Sequence, residues 1–149
     1  MKPIKTWILV ADGARARMLL NTGPGKGVEA IEGFDFRSDH PPSGDVMADA
    51  EGRTFDSRGT GRHAMERPSD PHRNAKKAFA DYIASVLDER AARGSYDRLV
   101  IVAPPQALGD LRSALSPLVR GKVSAELSKD LTHTRNEDLP DHLADVLAV

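Results

Sequence analysis

The chain has 149 residues, a formal charge of −1 and a pI near 6.5, with 29% charged against 40% hydrophobic residues. That is enough for one sizeable core and short for two, and the near-neutral balance excludes a whole-chain basic footprint, so any basic surface has to be a local patch. No cysteine is present, which excludes disulfides, thiolate metal sites and cysteine nucleophiles and points to a reducing compartment.

The apolar run from Trp7 to Ala11 is too short for a signal segment, and no stretch approaches a membrane span. The expectation is a soluble, cytoplasmic protein with one α/β domain over residues 1–149. Residues 4–11 are rich in β-formers and end at Asp12-Gly13, a pair that suits a two-residue hairpin turn. From Ala14 to Leu20, Arg15, Arg17 and Leu19 alternate with Ala16, Met18 and Leu20, which predicts an antiparallel strand with one wetter face. A turn-rich break at 21–27 precedes a third strand over Val28 to Phe36.

Between about residues 35 and 71 large apolar residues are few and no periodicity is sustained. This is a long polar loop, of a length that in a compact domain marks a binding loop or disorder. Its eight acidic residues and its five arginines up to Arg67 mean that it is not a simple basic arm.

Asp70-Pro71 then reads as a helix start, with Asp70 the cap and Pro71 at the first helical position, where no donor is needed. Ala75, Phe79, Tyr82, Ile83, Val86 and Leu87 recur at helical spacing, and Gly94 suits the C-terminal cap. The continuous apolar run from Leu99 to Ala103 predicts a strand buried on both faces. Pro104-Pro105 opens a second helix with Leu108, Leu111, Leu115 and Leu118 on one side, followed by Gly121. Val123 to Leu127 is the next strand. A last helix carries Leu139, Leu143, Val146 and Leu147, and Thr134 with Glu137 has capping-box spacing. The order βββ–loop–αβαβα fits a mixed sheet with helices packed on it and right-handed crossovers between the later strands.

Several local sequences carry a resemblance. They are Trp7-Ile8-Leu9-Val10-Ala11-Asp12-Gly13-Ala14-Arg15-Ala16-Arg17, His72-Arg73 leading into Phe79-Ala80, Arg98-Leu99-Val100-Ile101-Val102-Ala103-Pro104-Pro105, Leu108-Gly109-Asp110-Leu111-Arg112, and Lys129-Asp130-Leu131-Thr132. As a set, spanning nearly the whole chain, they resemble the bacterial host-attachment protein family. That family is itself distantly similar to the middle domain of eukaryotic class-one peptide release factors and pelota. The similarity implies a three-layer α/β/α fold with ribonuclease-H-like features: a five-stranded mixed sheet of order 3-2-1-4-5, strand 2 antiparallel to the rest, and a long loop after strand 3. In release factors that loop carries a Gly-Gly-Gln motif that assists water attack on peptidyl-tRNA. Here the matching stretch is Arg58-Gly59-Thr60-Gly61-Arg62-His63, and the only glutamine in the chain is Gln106, so peptide release does not carry over. What the resemblance leaves is a glycine-containing arm able to approach phosphates. Its candidate nucleic-acid contacts are Arg53, Arg58, Gly59, Gly61, Arg62, His63, Arg67, His72 and Arg73. The plainer alternative is a solvated linker with balanced charges.

Other chemistry is weaker. Asp12 follows the first strand, where ribonuclease-H-like folds can hold a metal, but partner carboxylates are not evident, and the hairpin role is the better reading. The histidines at 40, 63, 72, 133 and 142 have no spacing that places two ligands on one helical face. Gly23-Pro24-Gly25-Lys26-Gly27 lacks the Walker spacing, and Trp7 and Phe79 read as core anchors. No catalytic residue, metal or cofactor is assigned. The leading reading is a non-catalytic, translation-associated module that contacts ribosome or RNA through the 35–71 loop. The alternative is a host-attachment-related interaction protein acting through a protein partner, and a hydrolase or nuclease is third.

Overall fold

The computed structural model describes residues 2–38 and 70–149. Five strands, β1 (Thr6–Ala11), β2 (Arg15–Asn21), β3 (Glu29–Arg37), β4 (Arg98–Val102) and β5 (Val123–Leu127), form one mixed sheet of order 3-2-1-4-5. β2 runs antiparallel to β1 and β3, while β4 lies parallel to both β1 and β5. This is the expected fold class. β1 and β4 sit at the centre, and their side chains alternate between two cores, as strand geometry dictates. Trp7, Leu9, Leu99 and Ile101 face one core; Ile8, Val10, Val100 and Val102 face the other. The first core is covered by α1 (Pro71–Ala92), α2 (Pro105–Ala114) and α3 (Pro117–Arg120), and the second by the C-terminal segment with α4 (Leu139–Leu143).

α1 begins as the sequence predicts, with the Asp70 side chain accepting from the His72 amide and Pro71 in the first turn. It ends in a Schellman arrangement: the amides of Gly94 and Ser95 donate to the carbonyls of Ala91 and Arg90, and Gly94 takes φ 74°, a left-handed value that glycine adopts without strain. Its buried stripe includes Ala75, Phe79, Ile83 and Leu87. Trp7 and Phe79 are core anchors, as expected.

Four expectations need correction. β3 extends to Arg37, so residues 35–37 belong to the sheet. The turn after β1 has Gly13 and Ala14 at its tip, flanked by Asp12, whose amide donates to the Arg15 carbonyl. Asp12 closes this turn with its side chain: Oδ1 accepts from the amides of Ala14 and Arg15 at 2.8 and 2.7 Å. The second helix is two helices, because Ser116 precedes Pro117 and is pushed to extended backbone. Leu115 stays buried, Leu118 turns out to solvent, and Val119 takes the buried place. At the C-terminus a 3-10 turn (Asn136–Asp138) precedes a short α4, and the Thr134–Glu137 capping box does not form. The Thr134 amide donates to Leu131 instead, and Arg135 holds Glu137 and Asp138.

β3 is an edge strand. Its register against β2 slips between the pairs Arg17–Asp35 and Leu19–Ala30, and Gly33 lies in the bulged stretch with φ 86°. Such a bulge blunts an otherwise open sheet edge.

Candidate functional site

The chain leaves β1 toward β2 on one side and returns through α1 to β4 on the other, so the topology switches direction between β1 and β4. In open α/β sheets the crevice outside the carboxyl ends of such a strand pair is where ligands bind. A cleft of about 1020 Å³ lies there. Its floor is the turn after β1 (Asp12 to Arg15) and the start of α2 (Pro104 to Ala107); Arg37 and Ser38 at the end of β3 and His72 and Lys76 in the first turns of α1 complete the wall.

Local sequence explains the floor. Pro105 forces Pro104 into extended backbone, and α2 starts without a side-chain cap. Its first helical bond runs from the Leu108 amide to the Pro104 carbonyl, so the amides of Gln106 and Ala107 have no acceptor within the helix. The start of α1, by contrast, is capped by Asp70. Gly13 is needed for space: a Cβ there would stand 2.8 Å from Cγ of Lys76, whose stem crosses the turn.

The charge on the walls is positive. Arg15, Arg37 and Lys76 come from β2, β3 and α1, and among the described residues none is ion-paired with a carboxylate. Arg15 lies against the His133 ring, with Nη2 2.7 Å from Nε2. Of the two acids on the walls, Asp12 has its Oδ1 occupied by backbone amides, and Asp110 accepts both terminal nitrogens of Arg73.

A second network braces the rim. The Thr132 hydroxyl lies 2.6 Å from Asp130 Oδ1 and 3.2 Å from Asp12 Oδ2, tying the segment after β5 to the turn after β1. Burial alone would push the Asp130 carboxyl up, but the side-chain and backbone hydrogen bonds from Thr132, with His133 and Arg15 nearby, bring it below its usual range. Arg17 clamps the same segment, donating to the carbonyls of Thr132 and Thr134 and to Asn136 Oδ1. These contacts give the Asp12–Arg17 and Lys129–Thr132 sequences a structural role at the cleft.

The expected site residues fall into two groups. Arg53, Arg58, Gly59, Gly61, Arg62, His63 and Arg67 lie outside the described residues. His72 is on the cleft wall, whereas the Arg73 guanidinium is held by Asp110. Arg15, Arg37 and Lys76 did not emerge from the sequence as site residues. The available signal was the switch-point rule, applied to the residues that directly follow β1 and β4. Of the acids on α1, Asp81 is exposed and Asp88 accepts from Ser116. Among the described residues there is no group of three or more His, Asp or Glu side chains placed to hold a metal ion. No described helix is long and apolar enough to cross a membrane.

Comparison with curated proteins gives no match. The family model described as protein required for attachment to host cells matches residues 7–143, from β1 to the last residue of α4, and the chain belongs to that family.

Proposed function

We propose that the protein is a non-catalytic, cytoplasmic, single-domain module that binds RNA, on or off the ribosome, by its phosphates. The cleft at the ends of β1 and β4, whose wall includes Arg37, Ser38 and His72, receives the backbone. One observation carries this reading: three cationic residues from three separate elements, Arg15, Arg37 and Lys76, line one concave site, and among the described residues none of them is within ion-pair distance of a carboxylate. Cations gathered this way favour polyanions in a chain whose overall charge is near neutral. The amides of Gln106 and Ala107, which have no acceptor within α2, add donors suited to a phosphate oxygen. The Asp12 carboxylate is a structural acceptor in this reading, so no hydrolytic step is assigned to it.

Family membership supports a second reading, an interaction protein concerned with attachment to host cells that works through a protein partner. RNA binding separates the two. Titration of a labelled RNA at low salt is expected to show binding by the wild type and a loss of at least about tenfold in the Arg15→Ala/Arg37→Ala/Lys76→Ala variant. No binding by the wild type, or equal binding by the variant, overturns the RNA reading; crosslinking of intact cells to a surface or protein partner would then favour the second.

A further inference from the structure

Arg15 lines the cleft, yet its guanidinium is turned toward a residue outside the lining. Nη2 lies 2.7 Å from Nε2 and 3.2 Å from Nδ1 of His133, an exposed residue of the segment after β5. A guanidinium only donates, so the ring has to accept. Neutral imidazole has one accepting nitrogen, and in either tautomer that nitrogen is within reach of Nη2. Imidazolium has none. Protonation therefore turns this contact from a hydrogen bond into two cations facing each other.

The surrounding charges decide where each partner goes. Arg15 and Arg37 are direct cross-strand partners, so their stems leave the same face of the sheet with like charges opposed, a repulsion that an anion between them relieves. Asp130, three residues before His133, feels the charge of both the ring and Arg15. Burial would raise its carboxyl, but hydrogen bonds from the Thr132 hydroxyl and amide hold it below its usual range, so it stays ionised where histidine titrates. Asp12 reaches the same hydroxyl with Oδ2. Arg17 is committed to the carbonyls of Thr132 and Thr134, beside its cross-strand partner Asp35, and Arg135 is paired with Glu137 and Asp138. Arg15 is thus the cation that answers to the ring. His72, from α1, is the histidine on the cleft wall itself.

We propose that His133 is a pH-sensitive switch on the anion affinity of the cleft: neutral, it holds Arg15 aside, and protonated, it turns to Asp130 and leaves Arg15 to the anion. This rests on the reading of the cleft as a phosphate site and adds its regulation. Binding strengthens as pH falls from about 8 to about 5, the range in which histidine gains its proton. By reciprocity, a bound anion makes His133 easier to protonate.

Two probes whose own charges do not change in this range, oligouridylate and dextran sulfate, test it at fixed salt, at about pH 8 and about pH 5.5. The wild type is expected to bind roughly fivefold tighter at the lower pH, the scale of one exposed charge pair. His133→Gln, which accepts from Arg15 and takes up no proton, is expected to bind as the wild type does at the higher pH and to lose most of the gain at the lower. Arg15→Ala is expected to lose that gain too, which separates release of Arg15 from the mere addition of a charge at position 133. A remainder common to all the variants belongs to His72. The switch is overturned if either variant responds to pH as the wild type does, or if the wild type binds equally at the two pH values. Dextran sulfate binding that follows the switch, with no binding of oligouridylate, would sink the RNA reading and leave the switch standing; if neither probe binds at either pH, both fall.

Discussion

The two ends of the sheet treat their polar groups in opposite ways. At the end where β1 and β4 begin, polar groups are turned inward to one another. The Lys5 amide donates to Asp97, the amides of Asp97 and Arg98 donate to the Lys5 carbonyl, and the Tyr96 hydroxyl donates to the Leu87 carbonyl. Asn21 donates to the carbonyls of Gly23 and Gly27 and so holds the β2–β3 connection. At the other end, where the same strands finish, the carboxylates of Asp12 and Asp110 are occupied by internal partners, and three cationic residues line a cleft. One end closes the fold, and the other leaves charge available to a ligand. Substitutions at the first end should therefore change stability and leave binding alone, and those at the second the reverse.

The largest expected effect is at the closed end. Tyr96→Ala removes a fully buried ring stacked on Trp7 and should lower unfolding free energy by about 3–5 kcal/mol. Denaturant melts measure that loss, and RNA affinity of the folded fraction should be unchanged. Arg17 blurs the comparison in an instructive way, because it is a cation at the cleft end and each of its three guanidinium nitrogens donates internally. Arg17→Leu keeps apolar contact but leaves the Thr132 and Thr134 carbonyls without their donor, for a loss of about 1.5–3 kcal/mol by the same melts. A smaller effect is expected of Tyr96→Phe: about 1 kcal/mol at neutral pH from the lost hydrogen bond to Leu87.

That last variant also carries a pH signature. Burial, and secondarily Asp88, pushes the Tyr96 hydroxyl up to about 12 from its usual 10.0. The folded protein holds this proton more tightly than the unfolded chain. The resulting stability is complete below the unfolded value and is lost as pH rises from about 10 toward 12, on the order of 2 kcal/mol in all. Tyr96→Phe should flatten that alkaline limb in melts taken as a function of pH, and an unchanged limb would assign it to other groups.

The strands and the start and end of α1 were legible because each has a local cause: apolar runs for β1 and β4, Asp70-Pro71 at one end of α1 and Gly94 at the other. The sheet order came from the family resemblance, since periodicity does not say which strands are neighbours. The break before Pro117 was present in the sequence, but the leucine spacing across it suggested one helix. The C-terminal capping box failed for a similar reason: Thr134 and Glu137 have the spacing, yet Arg17, 117 residues away, and Leu131 determine how that segment lies. The cleft was hidden for the most physical reason. Arg15, Arg37 and Lys76 are separated by a turn, an edge strand and a long connection, and only the topology brings them to one place.

The most direct test of an open, phosphate-directed cleft is the salt dependence of RNA affinity for the wild type and for the Arg15→Ala/Arg37→Ala/Lys76→Ala variant. Each cation that neutralises a phosphate of a single strand contributes about 0.7 to the slope of log affinity against log salt, so the triple variant should lose roughly 2 from the slope. An unchanged slope would contradict the account, because the cations would then not be touching phosphates.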